Sequence, residues 1–94
     1  MTKTAFITGA SSGFGKACVQ ALAKQGFKII ALARRAERLA ELETEFKGQI
    51  HSICADVRDK KAIFDAVAQI PPAFKDISVL INNAGLALGT EKFD

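Results

Sequence analysis

Four short apolar runs, each closed by turn residues, alternate along this chain with three stretches of helical periodicity. That alternation leaves few folds open. Thr4 to Thr8 reads as a buried strand, followed by a glycine-bearing turn from Gly9 to Gly15. A helix is predicted from about Gly13 to Gln25, with Ala17, Cys18, Ala21 and Leu22 on its inward face and Gly26 as its C-terminal cap. Lys28 to Ala33 is the second strand, nearly all apolar, as a strand covered on both faces requires. The next helix, Ala36 to Phe46, turns Leu39, Leu42 and Phe46 inward and a charged face outward. Gln49 to Ala55 is the third strand. Asp59 to Gln69 is the third helix, with Asp59 as N-cap and Ile63, Phe64, Val67 and Ile70 in step. Pro71-Pro72 stop it. Ile77 to Ile81 is the fourth strand, and Asn82-Asn83-Ala84-Gly85 turns out of it.

The order β-α-β-α-β-α-β implies an α/β fold with a parallel sheet and right-handed crossovers. In the doubly wound, Rossmann-type arrangement the strands lie in the order 3-2-1-4. The chain then reverses direction between strands one and four, and the crevice there is where such folds bind ligands. An apolar fourth strand with an open side invites aggregation. Further strands are therefore expected beyond Asp94, making the 94 residues the N-terminal half of one domain of a longer protein.

Composition narrows the classes. With 49% hydrophobic and 24% charged residues the chain is not intrinsically disordered. No apolar run approaches the roughly 20 residues of a membrane-spanning helix, and Met1 to Thr8 is too short and wrongly flanked for a secretory signal. Thirteen Lys+Arg against ten Asp+Glu leave +3, scattered, with no Trp or Tyr for base stacking, so a nucleic-acid partner is not expected. One histidine and no Cys-x-x-Cys give no metal cluster. Cys18 and Cys54 each lie in an apolar stretch, which predicts buried free thiols in a reducing compartment. His51, at the start of strand three, reads as structural. The seven Phe residues read as packing, except Phe14, which stands inside the glycine turn.

Four motifs carry chemistry. Thr8-Gly9-Ala10-Ser11-Ser12-Gly13-Phe14-Gly15 follows a strand and opens a helix, the context of a dinucleotide-binding turn. Gly9 permits the tight turn, Gly13 lets backbone approach a pyrophosphate, and Gly15 lets the helix pack on the sheet. The helix start offers unpaired N–H groups and the positive end of its dipole, and Ser11 and Ser12 can add hydroxyls. Arg34-Arg35 end strand two, where an NAD-binding chain carries an acid for the ribose 2′-hydroxyl. Guanidinium groups there attract a 2′-phosphate instead, so the expected cofactor is NADP. Either arginine could dominate. Asp56-Val57 follow strand three; Asp56 suits the adenine amino proton or a loop cap, Val57 lines the adenine pocket, and Arg58 reads as a surface charge. Asn83, Ala84 and Gly85 supply small residues and an amide where cofactor passes close to backbone.

Together Thr8 to Gly15, Asp56-Val57 and Asn82 to Gly85 resemble the classical short-chain dehydrogenase/reductase family, over the whole chain. Gly13 to Gly15, Arg34 to Leu39, Asp56 to Arg58 and Asn82 to Gly89 look like its NADP-dependent 3-hydroxy acid dehydrogenases, which oxidise serine and L-allo-threonine. The resemblance implies an oxidoreductase acting on a small-molecule hydroxy acid or related alcohol or carbonyl, as a cytoplasmic homotetramer. It carries cofactor contacts over to Gly9 through Phe14, Arg34, Arg35, Asp56, Val57 and Asn83. The family's catalytic Ser, Tyr, Lys and helical Asn have no counterpart here, and the chain has no tyrosine at all, so residues 1–94 alone are not expected to be active. The alternative is a non-catalytic NADP-binding regulator on the same fold.

Overall fold

The apolar run Lys28–Ala33 (β2) lies between Thr4–Thr8 (β1) and Ile50–Cys54 (β3), and Ile77–Asn82 (β4) pairs with the far side of β1. Every pairing is parallel, and the sheet order is β3-β2-β1-β4, as the alternation predicts. A computed structural model of the chain carries this arrangement and describes residues 3–56 and 58–82. The helices are Gly13–Lys24 (α1), Ala36–Glu45 (α2) and Lys60–Ala68 (α3), with a 3-10 turn at Pro72–Phe74. No helix among the described residues is long and apolar enough to cross a membrane.

Each central strand is apolar on both sides because helices cover both sides. Ala5, Ile7, Ile29 and Ala31 pack with Val19 and Ala23 of α1 and Leu39 and Leu42 of α2. Phe6, Ile30, Leu32 and Ile53 face the other way, onto Ile63, Ala66 and Ile70 in and after α3. Ile7, Ile29, Ile30 and Leu32 are fully buried, each stabilising the fold by about 1.5–3 kcal/mol.

The helix ends are set by local chemistry. Gly26 adopts φ +94°; its N–H donates to the Ala23 carbonyl and that of Phe27 to the Leu22 carbonyl, which closes α1 as the sequence predicts. Gln49 then fastens the junction, its Nε2 donating to the carbonyls of Ala23 (2.8 Å) and Phe27 (3.0 Å). The Asp59 carboxylate accepts from the Ala62 N–H at 3.1 Å and starts α3.

Two inward faces differ from expectation. The core-facing row of α1 is Gly15, Val19 and Ala23, with Cys18 and Leu22 half-buried beside it and Ala17 and Ala21 exposed. Close packing runs through the glycine and the branched valine, and small alanines do not reveal which side of the helix they occupy. On α3 the row that meets the sheet is Ile63, Ala66 and Ile70, while Phe64 and Val67, one step round the helix, are 75% and 41% exposed. Phe64 is therefore not a packing residue among the described residues. The thiols differ too. Both are free, but Cys54 is exposed at the sheet edge, its Sγ 3.5 Å from the Arg34 carbonyl, and Cys18 is half-buried. His51 tilts its ring against Phe74 at 5.7 Å between centroids.

Candidate functional site

Because all four strands run the same way, their C-terminal ends share one edge of the sheet. The register puts Thr8 beside Leu32 and Asn82, and Ala33 beside Cys54. The glycine turn, Arg34-Arg35 and Asp56 all follow directly from those ends. Residues scattered over some fifty positions are brought to one rim by the topology alone.

At the turn, Gly9 takes φ +63°, which bends the chain sharply off β1. Its carbonyl accepts from the Ser12 N–H at 3.1 Å and the Ser12 hydroxyl at 2.8 Å. The same hydroxyl oxygen accepts from the Gly15 N–H at 3.3 Å, making Ser12 the N-cap of α1. Ser12 thus shapes the turn from within. Ala10 is fully buried and its N–H donates to the Leu32 carbonyl at 3.1 Å, so it forms the floor of the turn over β2. The N–H groups of Ser11, Gly13 and Phe14 have no partner among the described residues. They stand at the positive end of the α1 dipole, an arrangement that binds anions. A Cβ placed on Gly13 would meet nothing within 4 Å, so that side of the turn opens outward. Phe14 is 68% exposed beside it. Gly15 is buried against the sheet, as its place in the motif predicts.

Arg34 and Arg35 are both exposed, and neither side chain makes a hydrogen bond or close ion pair among the described residues. Arg35 occupies the N-cap of α2 yet makes no side-chain cap bond. An acceptor such as Ser or Asp would satisfy a helix amide there, whereas a cation opposes the dipole. The position is thus poor for the helix and suited to an external anion.

Asp56 is the third element. Its Oδ1 accepts from the Arg58 N–H (2.9 Å) and Nε (3.2 Å), and its Oδ2 from Arg58 Nη2 (2.9 Å). The side-chain bonds, then the amide bond and the charge of Arg58, with a smaller contribution from Arg34, lower the carboxyl from 3.8 to about 2. Arg58 is a surface charge, 69% exposed, as the sequence suggests, and it is paired with Asp56. Thr8 joins the last strand, its Oγ1 donating to Asn82 Oδ1 at 2.9 Å. Val57, Asn83, Ala84 and Gly85 lie outside the described residues.

Comparison with known proteins follows the same lines. A family model described as short chain dehydrogenase matches residues 3–94. The chain is 49% identical over 90 residues to the serine 3-dehydrogenase of Rhizobium radiobacter, covering 96% of this chain and 36% of that protein. It is 44% identical over 85 residues to the NADP-dependent 3-hydroxy acid dehydrogenase YdfG of Escherichia coli K12, covering 90% of this chain and 34% of that one. The closed form of a serine dehydrogenase complexed with NADP+ superposes with a TM-score of 0.84 at 41% identity, covering 90% of this chain and 34% of its own. The chain thus spans about a third of the length of the relatives it matches. With the strand order and the glycine turn in agreement with a family model that spans residues 3–94, the chain belongs to the short-chain dehydrogenase family.

Proposed function

We propose that this chain is the NADP-binding part of an oxidoreductase that moves a hydride between NADP(H) and a small hydroxy acid, of the serine, allo-threonine or 3-hydroxy acid type, or a related alcohol or carbonyl. The observation that carries the reading is the pair of exposed guanidinium groups, Arg34 and Arg35, beside a turn of unpaired amides on the same sheet edge. The amides of Ser11, Gly13 and Phe14 suit a pyrophosphate, and the guanidinium pair suits a 2′-phosphate. Asp56 suits the adenine amino group. Gly9, Ala10, Ser12 and Gly15 act by holding the turn in shape. Val57, Asn83, Ala84 and Gly85 complete the proposed cofactor contacts.

NADP, when bound, supplies the hydride acceptor or donor at its nicotinamide ring. What these residues do is hold its adenosine end. The acid–base work on the substrate is assigned to residues other than these 94, which include no tyrosine. The names of the relatives, serine 3-dehydrogenase and NADP-dependent 3-hydroxy acid dehydrogenase, support the substrate class. On the same reading the assembled protein is a cytoplasmic homotetramer.

Calorimetric titration of the intact protein with NADP and NAD tests the cofactor, and reduction of NADP in the presence of serine tests the reaction. Tighter binding of NADP and turnover with serine are expected. Binding without turnover on any small hydroxy acid would favour the regulator reading, and equal or tighter binding of NAD would overturn both.

The N-cap position gives a second, sharper expectation. Arg35→Asp supplies the cap that α2 lacks, at a backbone conformation (φ −106°, ψ 110°) an aspartate cap adopts. Helix and protein should gain about 0.5–2 kcal/mol. Thermal denaturation should show a raised midpoint while titration shows weakened NADP binding. A variant improved in both would mean that Arg35 has no part in the cofactor site.

A further inference from the structure

We propose that Arg58 is a positioning residue that holds Asp56 as a fixed acceptor selecting adenine over a 6-oxo purine; this rests on the NADP reading given above. The geometry is a closed ring within three residues. One amide and two guanidinium nitrogens of Arg58 reach both carboxylate oxygens, at 2.9, 3.2 and 2.9 Å. A carboxylate offers about four lone-pair positions. Oδ1 has both of its positions filled and Oδ2 one, so a single acceptor position remains, on Oδ2.

No other described residue takes that position. The Asp59 N–H donates to the Asp56 carbonyl at 2.9 Å and ties the loop to the start of α3. The Asp59 carboxylate is turned to its own helix, on the Ala62 N–H, and does not compete. Arg34 faces the site from the end of β2 and adds positive potential. Asp56 has about a third of its side-chain surface exposed, enough to meet a ligand.

Two consequences follow from charge. An unpaired carboxylate on this rim would repel the phosphates that the turn and Arg34-Arg35 attract. Pairing with Arg58 removes that conflict. An ionised carboxylate can also only accept. It accepts a hydrogen bond from a 6-amino group but meets the lone pairs of a 6-oxo group, so the pair discriminates adenine from hypoxanthine. Lysine could supply the charge at position 58, but not the planar fork that fixes the direction of Oδ2.

The test uses the intact protein, NADP and its hypoxanthine analogue. Wild type should bind NADP about tenfold more tightly than the analogue, the worth of one charge-assisted hydrogen bond. Arg58→Gln should reduce that preference to about twofold or less, with an unchanged thermal midpoint. A second readout needs no ligand: the Asp56 carboxyl carbon followed by NMR from pH 6 to pH 3. Wild type should show little titration in that window, because its carboxyl ionises near 2, and Arg58→Gln should titrate near the ordinary 3.8. Full base preference in Arg58→Gln, or a carboxyl that titrates alike in both proteins, would overturn the inference and leave the NADP reading standing. A wild type that binds neither dinucleotide would overturn both.

Discussion

Arg34→Asp should lower the affinity of the intact protein for NADP by about two to three orders of magnitude and raise its affinity for NAD by about tenfold. Arg34 leaves β2 at the rim of the sheet and has no side-chain partner among the described residues, so its charge is available to a ligand. Its replacement does two things at once. It removes a bidentate donor for a 2′-phosphate and puts a repelling charge in its place. It also restores the acid that accepts a ribose 2′-hydroxyl, which is the NAD arrangement of this fold. The fold itself should not notice, because an exposed residue without contacts shifts stability by no more than about 0.5 kcal/mol. Titration with both dinucleotides checks the ratio. An unchanged ratio would leave the selectivity to Arg35, or remove the arginine pair from the site altogether.

That expectation could be framed from sequence because the information it needs is local. Apolar runs such as Lys28–Ala33 and punctuation such as Gly26, Asp59 and Pro71 fix elements within a few residues of themselves. Once the alternation of elements is set, the parallel sheet places Gly9, Arg34 and Asp56 on one edge without further input. What sequence could not supply was rotation and partnership. The inward face of α1 is not legible in its alanines, because Ala17 and Ala21 fit either side of a helix and the buried row depends on where Val19 meets Ile7 and Ile29. Phe64 and Val67 are apolar yet exposed, since only one row of a nine-residue helix reaches the sheet. Cys54 ends a strand rather than lying inside one, which puts its thiol at the exposed edge. The pairing of Arg58 with Asp56 is not legible in the sequence, because residues two apart do not face each other on a helix. Only the loop folds Arg58 back onto Asp56.

Gly13→Ala should separate folding from binding more cleanly than any change at a charged residue. In most glycine turns an added methyl group strains the backbone or strikes the protein. Here neither happens: Gly13 lies in helical backbone at the start of α1, outside the positive-φ set of Gly9, Gly26 and Gly48, and its Cβ would meet nothing within 4 Å. Alanine is the better helix former, so stability should hold or rise by up to about 1 kcal/mol. The methyl group enters the open space beside the start of α1, where the pyrophosphate is proposed to sit. Intruding there should cost NADP about ten- to hundredfold in affinity, the usual penalty for forcing one methyl group into a fitted site. NAD shares the pyrophosphate and should lose by the same factor, which sets this variant apart from Arg34→Asp. Thermal denaturation and titration with both dinucleotides read the two effects independently. Undiminished binding of both by a stable Gly13→Ala protein would mean that the open side of the turn faces solvent in the complex, and the phosphates would have to be placed elsewhere.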